Sequence, residues 1–240
     1  MNTIKLENKK NVKMVAHRGV SGLELENTCP AFVAAGVKSY YGVETDVHVT
    51  VDGKYIVIHD DDLRRIAGLD MVVRESKFDD LRAVRLLDTD KKTERADLFL
   101  PTLDEYLSIC KKYSKVCVLE LKEEMSEDAV VGIANAVNDA EMLQNTVFIS
   151  FAGNNLLYLR KAFPNASAQF LSGEVNEGVI SFILDNGFDA DIYYKSVDKE
   201  FVDLMHANGR VVNVWTVDRV EAAEKMIEYG VDMITSNILE

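Results

Sequence analysis

Strand-like and helix-like segments alternate along nearly the whole chain, and the eight parallel-type strands in that alternation predict an α/β fold. The expected form is a closed (β/α)8 TIM barrel with a β-hairpin excursion and a small insertion at its C-terminal mouth. Length agrees, since the chain has 240 residues and such a barrel typically has about 250. Glycine and proline are scarce, and neither low-complexity sequence nor an internal repeat interrupts the pattern. One domain over residues 1–240 is expected, with 48% hydrophobic residues to build its core and an insertion at about 60–100.

The first strand is expected over residues 13–17, where an apolar run stops at His17-Arg18-Gly19, and a helix follows over 30–38. The next strand, 42–47, carries Glu44 and Asp46 at alternate positions, so both project to one face. The run Tyr55-Ile56-Val57-Ile58 lies only a short polar turn away, and a parallel crossover needs about a dozen residues or more. It must therefore return as a hairpin, and Asp52-Gly53 is the usual signal for one. A turn centred on that pair sets His59 opposite Asp46. Residues 60–100 are charge-rich and irregular, with a possible short helix at 78–86 and a polar run at 88–97; they read as an insertion over the mouth, bordering the entrance.

Regular alternation then resumes. Thr102 with Glu105 three residues on forms a capping-box pattern for a helix over 103–113. Strands are expected over 116–122, 146–150, 166–171, 190–194, 211–216 and 233–236, with helices over 127–140, 154–163, 177–186, 199–208 and 220–229 between them. Gly36, Gly187, Gly209 and Gly230 follow helical runs, where a left-handed C-terminal residue is favoured.

A formal charge of −13 excludes a nucleic-acid surface built on clustered Lys and Arg, but not a phosphorylated small substrate held by a few local cations. Cys29, Cys110 and Cys117 form no Cys-x-x-Cys pair and are expected as reduced, mostly buried thiols. The polar N-terminus and the lack of 18 consecutive apolar residues predict a cytoplasmic protein without a transmembrane segment.

The chemistry gathers at strand ends. His17 and His59 each close an apolar run, while Glu44 with Asp46 and Glu120 with Lys122 share strand faces. Buried charges are costly unless paired or bound to an ion, so the pattern points to a metal-assisted site with two proton carriers.

At this level of detail the chain resembles the glycerophosphodiester phosphodiesterase family. The resemblance rests on His17-Arg18-Gly19, Glu26-Asn27-Thr28, Glu44-Thr45-Asp46-Val47, Thr50-x-Asp52-Gly53, His59-Asp60 and Leu63-x-Arg65, in that order. It continues through Pro101-Thr102-Leu103, Glu120-Leu121-Lys122, Ser150-Phe151 and Trp215-Thr216-Val217. Each piece alone is weak; the ordered set, from His17 to about Thr235, is specific.

The resemblance implies a (β/α)8 barrel that hydrolyses glycerophosphodiesters to sn-glycerol 3-phosphate and an alcohol with a divalent cation. By position it makes Glu44, Asp46 and Glu120 metal ligands, His17 and His59 the acid–base pair, and Arg18 and Lys122 phosphate-binding cations. An all-oxygen set of carboxylates favours Mg2+ or Ca2+ over Zn2+. The implied mechanism is attack by the glycerol 2-hydroxyl to give a cyclic phosphate that water opens. Phe151 and Trp215 follow strand ends and could wall the glycerol carbons or serve as core aromatics.

The remaining residues have plainer expectations. His48 reads as a rim residue and His206 as a surface one; Glu26, Asn27 and Thr28 fix the first loop and cap its helix; Asp60 either orients His59 or ends the hairpin. Leu25, Ile66, Asp218 and Ser236-Asn237 depart from the family pattern without touching the proposed catalytic set, which leaves rim contacts and alcohol specificity open. Two rival functions are a lysophospholipase-D-like phosphodiesterase and a non-catalytic barrel that binds phosphorylated ligands. The oligomeric state is not legible.

Overall fold

A computed structural model of the protein describes residues 2–90, 92 and 95–240; positions 91, 93 and 94 of the expected polar run lie outside the described residues. The elements in chain order are β1 (Lys13–Ala16), α1 (Cys29–Gly36), β2 (Gly42–Val49), β3 (Tyr55–Val57), α2 (Arg64–Ala67), α3 (Phe78–Arg82), α4 (Leu103–Lys112), β4 (Val116–Leu121) and α5 (Glu127–Asp139). They continue with β5 (Thr146–Ser150), α6 (Gly153–Ala162), β6 (Ser167–Ser172), α7 (Glu177–Asn186), β7 (Asp189–Tyr193), α8 (Lys199–Ala207), β8 (Val212–Trp215), α9 (Val220–Tyr229) and β9 (Met233–Ser236).

Eight strands pair in parallel in the order β1-β9-β8-β7-β6-β5-β4-β2, and pairing of Val15 with Gly42 and Ala16 with Val43 closes the ring. This is the expected (β/α)8 barrel. Alternate strand residues divide between two environments, as the pleat requires. Val43, Val47, Cys117, Leu119, Phe148, Ala190, Ile192, Val212 and Val214 face the helices in the main core, whereas Val15, Val118, Ile149, Leu171 and Met233 fill the barrel axis. The C-terminal strand ends form the mouth, where barrels of this type place their chemistry.

Several local expectations hold. Thr102 caps α4 in a full capping box, Thr28 caps α1, and Gly187 and Gly230 end α7 and α9 in the left-handed region. Gly36 does not. It is the last residue of α1, followed by a right-handed Val37, and a Cβ there would meet the Tyr113 ring at 2.5 Å. Cys110 and Cys117 are buried and Cys29 partly so, all as free thiols. Among the described residues, no helix is long and apolar enough to cross a membrane.

The hairpin forms as expected, with β3 antiparallel to β2, but its register differs by one residue. Val47 pairs with Val57 and His48 with Ile56, so Ile58, not His59, lies opposite Asp46; the Ile58 amide donates to the Asp46 carbonyl at 3.1 Å. The cause is the turn. Thr50 and Lys54 bracket a three-residue loop in which Gly53 adopts φ +74°, instead of the two-residue turn that Asp-Gly usually makes. The Thr50 hydroxyl sits 2.7 Å from Asp52 Oδ1 and accepts from the Lys54 amide at 3.1 Å.

The insertion packs on this hairpin. Ile56 and Ile58 join Leu63, Ile66, Val73, Leu81, Leu86, Leu98 and Leu100 in a cluster separate from the barrel core. Its helix α3 is shorter than the expected 78–86, and Asp52 Oδ1 accepts from the Phe78 amide that opens it, tying the hairpin tip down.

An L side chain at the Gly53 conformation costs about 1–2 kcal/mol. Gly53→Ala should therefore lower stability by about that amount, read as an earlier urea midpoint with an unchanged slope.

Candidate active site

Strand register assembles the acidic cluster. Asp46 and Glu120 are direct partners across β2 and β4, and Glu44 lies one pleat repeat below Asp46 on the same face. All three are buried, at 3%, 1% and 8% exposure for Glu44, Asp46 and Glu120, and they offer ligand atoms within 4.8 Å of one another. Burial raises the Glu44 and Glu120 carboxyls, with neighbouring Asp46 adding to both. Burial opposes ionisation of Asp46 too, but Lys122 and Arg18 outweigh it and hold that group low. Asp46 Oδ1 is buried without a hydrogen-bond partner. An orphaned anionic oxygen among three crowded carboxylates fits a cation, and these residues could hold a metal ion.

The cations lie against this cluster. Lys122 Nζ is 2.9 Å from Glu120 Oε1 and 3.6 Å from Asp46 Oδ1. Arg18 Nε is 3.6 Å from Asp46 Oδ2 and buried without a hydrogen-bond partner. The turn that delivers it is left-handed at Arg18 and Gly19, φ 53° and 77°, and the Arg18 amide donates to Glu44 Oε2 at 2.7 Å. Asn27, also left-handed at φ 52°, donates its amide to Asp46 Oδ2 at 2.7 Å while Thr45 donates to its carbonyl.

The two histidines reach the mouth by different routes. His17 directly follows β1. Its Nδ1 is 2.7 Å from Asn237 Oδ1, and Asn237 in turn donates Nδ2 to Asp218 Oδ2 at 2.6 Å. That second bond orients the amide, so His17 Nδ1 carries the proton and Nε2 points towards Glu44 Oε2, 3.9 Å away. Burial, helped by Arg18, pushes His17 down to about 4. His59 follows the hairpin, where the chain leaves the ladder after Ile58, and its Nδ1 donates to Asp60 Oδ1 at 2.7 Å.

An unbroken run of ion pairs joins the two loops. Arg18 bonds Glu26 at 2.7 Å, Glu26 bonds Arg65 at 2.8 Å, and Arg65 bonds Asp60 at 2.6 Å. Asp60 therefore orients His59 as well as ending the hairpin.

His17, Arg18, Glu44, His59 and Glu120 line one pocket with Ile149, Phe151, Leu171, Asp191, Trp215, Thr216 and Thr235. Its volume is about 430 Å3 counting space open to solvent. Phe151 and Trp215 meet edge to face at 5.6 Å and both wall the pocket, Trp215 also packing on the cluster at the barrel axis. Lys122 lines a neighbouring depression with His59, Asp60, Asp61 and Asp62.

Two expectations need correction. Asn237 does touch the proposed catalytic set, bonding His17 with Asp218 behind it, because barrel closure brings the end of β9 beside β1. His48 is buried, not at the rim, with Nε2 3.4 Å from the His59 carbonyl; with Asp61 and Glu123 it forms a second group of possible ligand atoms. His206 is exposed as expected and pairs with Asp232 at 2.8 Å. Arg65 and Asn237 are named in the sequence pattern but given no role there, and Asp191 is not singled out at all. Asp191 carried a legible signal, an acid in the middle of a strand flanked by Ala190 and Ile192, with the other acid of β7, Asp189, at its start.

The sequence model of the glycerophosphoryl diester phosphodiesterase family matches residues 17–240. A glycerophosphodiester phosphodiesterase of Bacillus altitudinis is 27% identical over 230 residues, covering 92% of this chain and 93% of that protein. The crystal structure of a glycerophosphodiester phosphodiesterase from Parabacteroides distasonis is 28% identical with a TM-score of 0.78, covering 96% and 94% of the two chains. An Oleispira antarctica phosphodiesterase, solved in complex with the product sn-glycerol 3-phosphate, shares the fold at a TM-score of 0.87 and 23% identity, over 94% and 93%.

Burial pushes Asp191 up to about 8, against roughly 3.9 in an unfolded chain. Between those values the folded protein binds the extra proton, so this group's contribution to stability falls as pH rises through the window. Asp191→Asn should flatten that part of the curve by an amount on the order of a few kcal/mol, read by urea unfolding of both proteins at pH 5 and pH 8.

Proposed function

The chain belongs to the glycerophosphoryl diester phosphodiesterase family, and from that premise we propose that it hydrolyses glycerophosphodiesters to sn-glycerol 3-phosphate and an alcohol. One observation carries the reading. Two imidazoles, each anchored through Nδ1, line one pocket with Glu44 and Glu120 of a buried three-carboxylate cluster.

Glu44, Asp46 and Glu120 would hold one divalent cation, Mg2+ or Ca2+, since hard ions prefer carboxylate oxygens. When bound, it would supply positive charge to the non-bridging phosphate oxygens, which a diester anion needs to accept a nucleophile. The unpartnered Arg18 Nε is placed to donate to the same phosphate, and Lys122 adds a second charge beside it. One histidine takes the proton of the glycerol 2-hydroxyl as its oxygen bonds to phosphorus. The other gives a proton to the departing alkoxide as the P–O bond to the alcohol breaks. The product is a cyclic phosphate, which water opens with the two roles exchanged, leaving glycerol 3-phosphate. Asn237 and Asp60 keep both Nε2 atoms free for these transfers. The acidic stretch 60–62 at the pocket edge favours small, polar diesters over lysolipids.

The test is release of glycerol 3-phosphate from glycerophosphocholine and related diesters. Chelator should stop it and Mg2+ or Ca2+ restore it; turnover indifferent to chelator would overturn the metal assignment. His17→Ala and His59→Ala should each lower turnover about 10²–10⁴-fold with the melting temperature kept, and near-normal activity in either would remove that histidine from the reaction. Asn237→Ala should lower kcat about 10–100-fold by freeing the His17 ring; an unchanged kcat would limit Asn237 to a structural role.

A further inference from the structure

Asp191 has no part in the chemistry described above, yet it lines the same pocket. It sits on β7 with its side chain towards the barrel axis, is 1% exposed, and leaves Oδ1 without a hydrogen-bond partner. Buried polar atoms are nearly always satisfied, so an orphan needs a reason. Asn213 lies beside the carboxyl and partly offsets the effect of burial, but Oδ1 stays unpartnered and the other polar contacts of Asn213 go elsewhere. Asn213 donates to Gln169 at 3.3 Å, and Thr235 donates to Asn213 at 3.2 Å.

The pocket has two unlike halves. His17, Arg18, Glu44, His59 and Glu120, from β1, β2, β4 and the hairpin, make the phosphate half. The other half, from β5 to β9, is mostly apolar, formed by Ile149, Leu171, Phe151 and Trp215 with Thr216 and Thr235 beside them, and Asp191 is its one ionisable group among the described residues. A group lying across that half must be small, with carbon edges, and must offer a hydroxyl to the buried acid. Depth separates the two arms of a diester. Asp191 is at the closed end, while Phe151, 49% exposed, marks the open end where the departing alcohol has room.

We propose that Asp191 is the selectivity residue for the glyceryl arm of the substrate, its carboxyl group hydrogen-bonding the terminal hydroxyl from the floor of the pocket. This rests on the hydrolytic reading above. The raised pKa of about 8, caused by burial, agrees with it. A neutral acid can donate to a hydroxyl oxygen and accept its proton, whereas an ionised one would select a cation. A site built around such a group rejects a ligand lacking the hydroxyl, because the acid is then left unpaired.

The experiment compares kcat/KM for glycerophosphocholine with that for the phosphocholine diester of 1,2-propanediol, which keeps the 2-hydroxyl and lacks the terminal one. The wild type should prefer the glyceryl substrate by about 10–100-fold, the scale of one unmade buried hydrogen bond. Asp191→Leu should erase most of that preference by losing rate chiefly on the glyceryl substrate, and Asp191→Asn, which still donates and accepts, should keep most of it. Both variants should melt no lower than the wild type, since each relieves an unpaired buried acid. Should Asp191→Leu not fold, Asp191→Ala carries the same comparison. A preference that persists in the apolar variant, or an equal loss on both substrates, overturns the proposal while hydrolysis stands. Absence of wild-type turnover on both substrates would overturn the hydrolytic reading, and this proposal with it.

Discussion

Mutual repulsion among three buried carboxylates is the constraint around which the barrel mouth is organised. Glu44, Asp46 and Glu120 lie close together on adjacent strands, out of water, where like charges interact far more strongly than on a surface. The observed register sets Asp46 directly opposite Glu120. Arg18 and Asn27, both from the loop after β1, and Lys122, just after β4, offset part of that repulsion. The left-handed residues Arg18 and Asn27 are what bring the first loop close enough to do so. The local backbone is thus shaped by an electrostatic demand two strands away.

What sequence could reveal followed from periodicity. The period of two placed Glu44 with Asp46 and Glu120 with Lys122, and loop length alone required the hairpin. Where reasoning needed backbone dihedrals it slipped. Asp52-Gly53 signals a turn, but whether two or three residues form it depends on how Thr50 bonds across the loop, and that choice moved His59 off the ladder. Contacts made by barrel closure were further out of reach. Asn237 touches His17 across 220 positions of chain because β9 pairs with β1, and no local pattern carries that adjacency. Asp191 was different, since an acid in a buried strand is conspicuous on solvation grounds alone.

The two histidines also differ in how firmly they are held. His17 extends a strand paired on both sides and leans on Asn237, itself fixed by Asp218. His59 depends on a short strand paired in its ladder only with β2, on the Arg65–Asp60 ion pair, and on the apolar cluster beneath the insertion. Asp52 pins the hairpin tip through the Phe78 amide, so the insertion secures the hairpin at both its base and its end.

That separate cluster has a consequence for durability. Regions with their own small core can open without the rest of the molecule, at a free energy below that of global unfolding. Seven buried side chains hold the insertion to Ile56 and Ile58, while the barrel rests on a far larger core. Opening of the smaller cluster would carry His59 and Asp60 away from the carboxylates with all eight barrel strands still paired. Heat or denaturant would then silence the site while spectroscopic signals of the barrel persist. The working lifetime of the protein is set by its weakest patch of packing, the one beneath a single histidine.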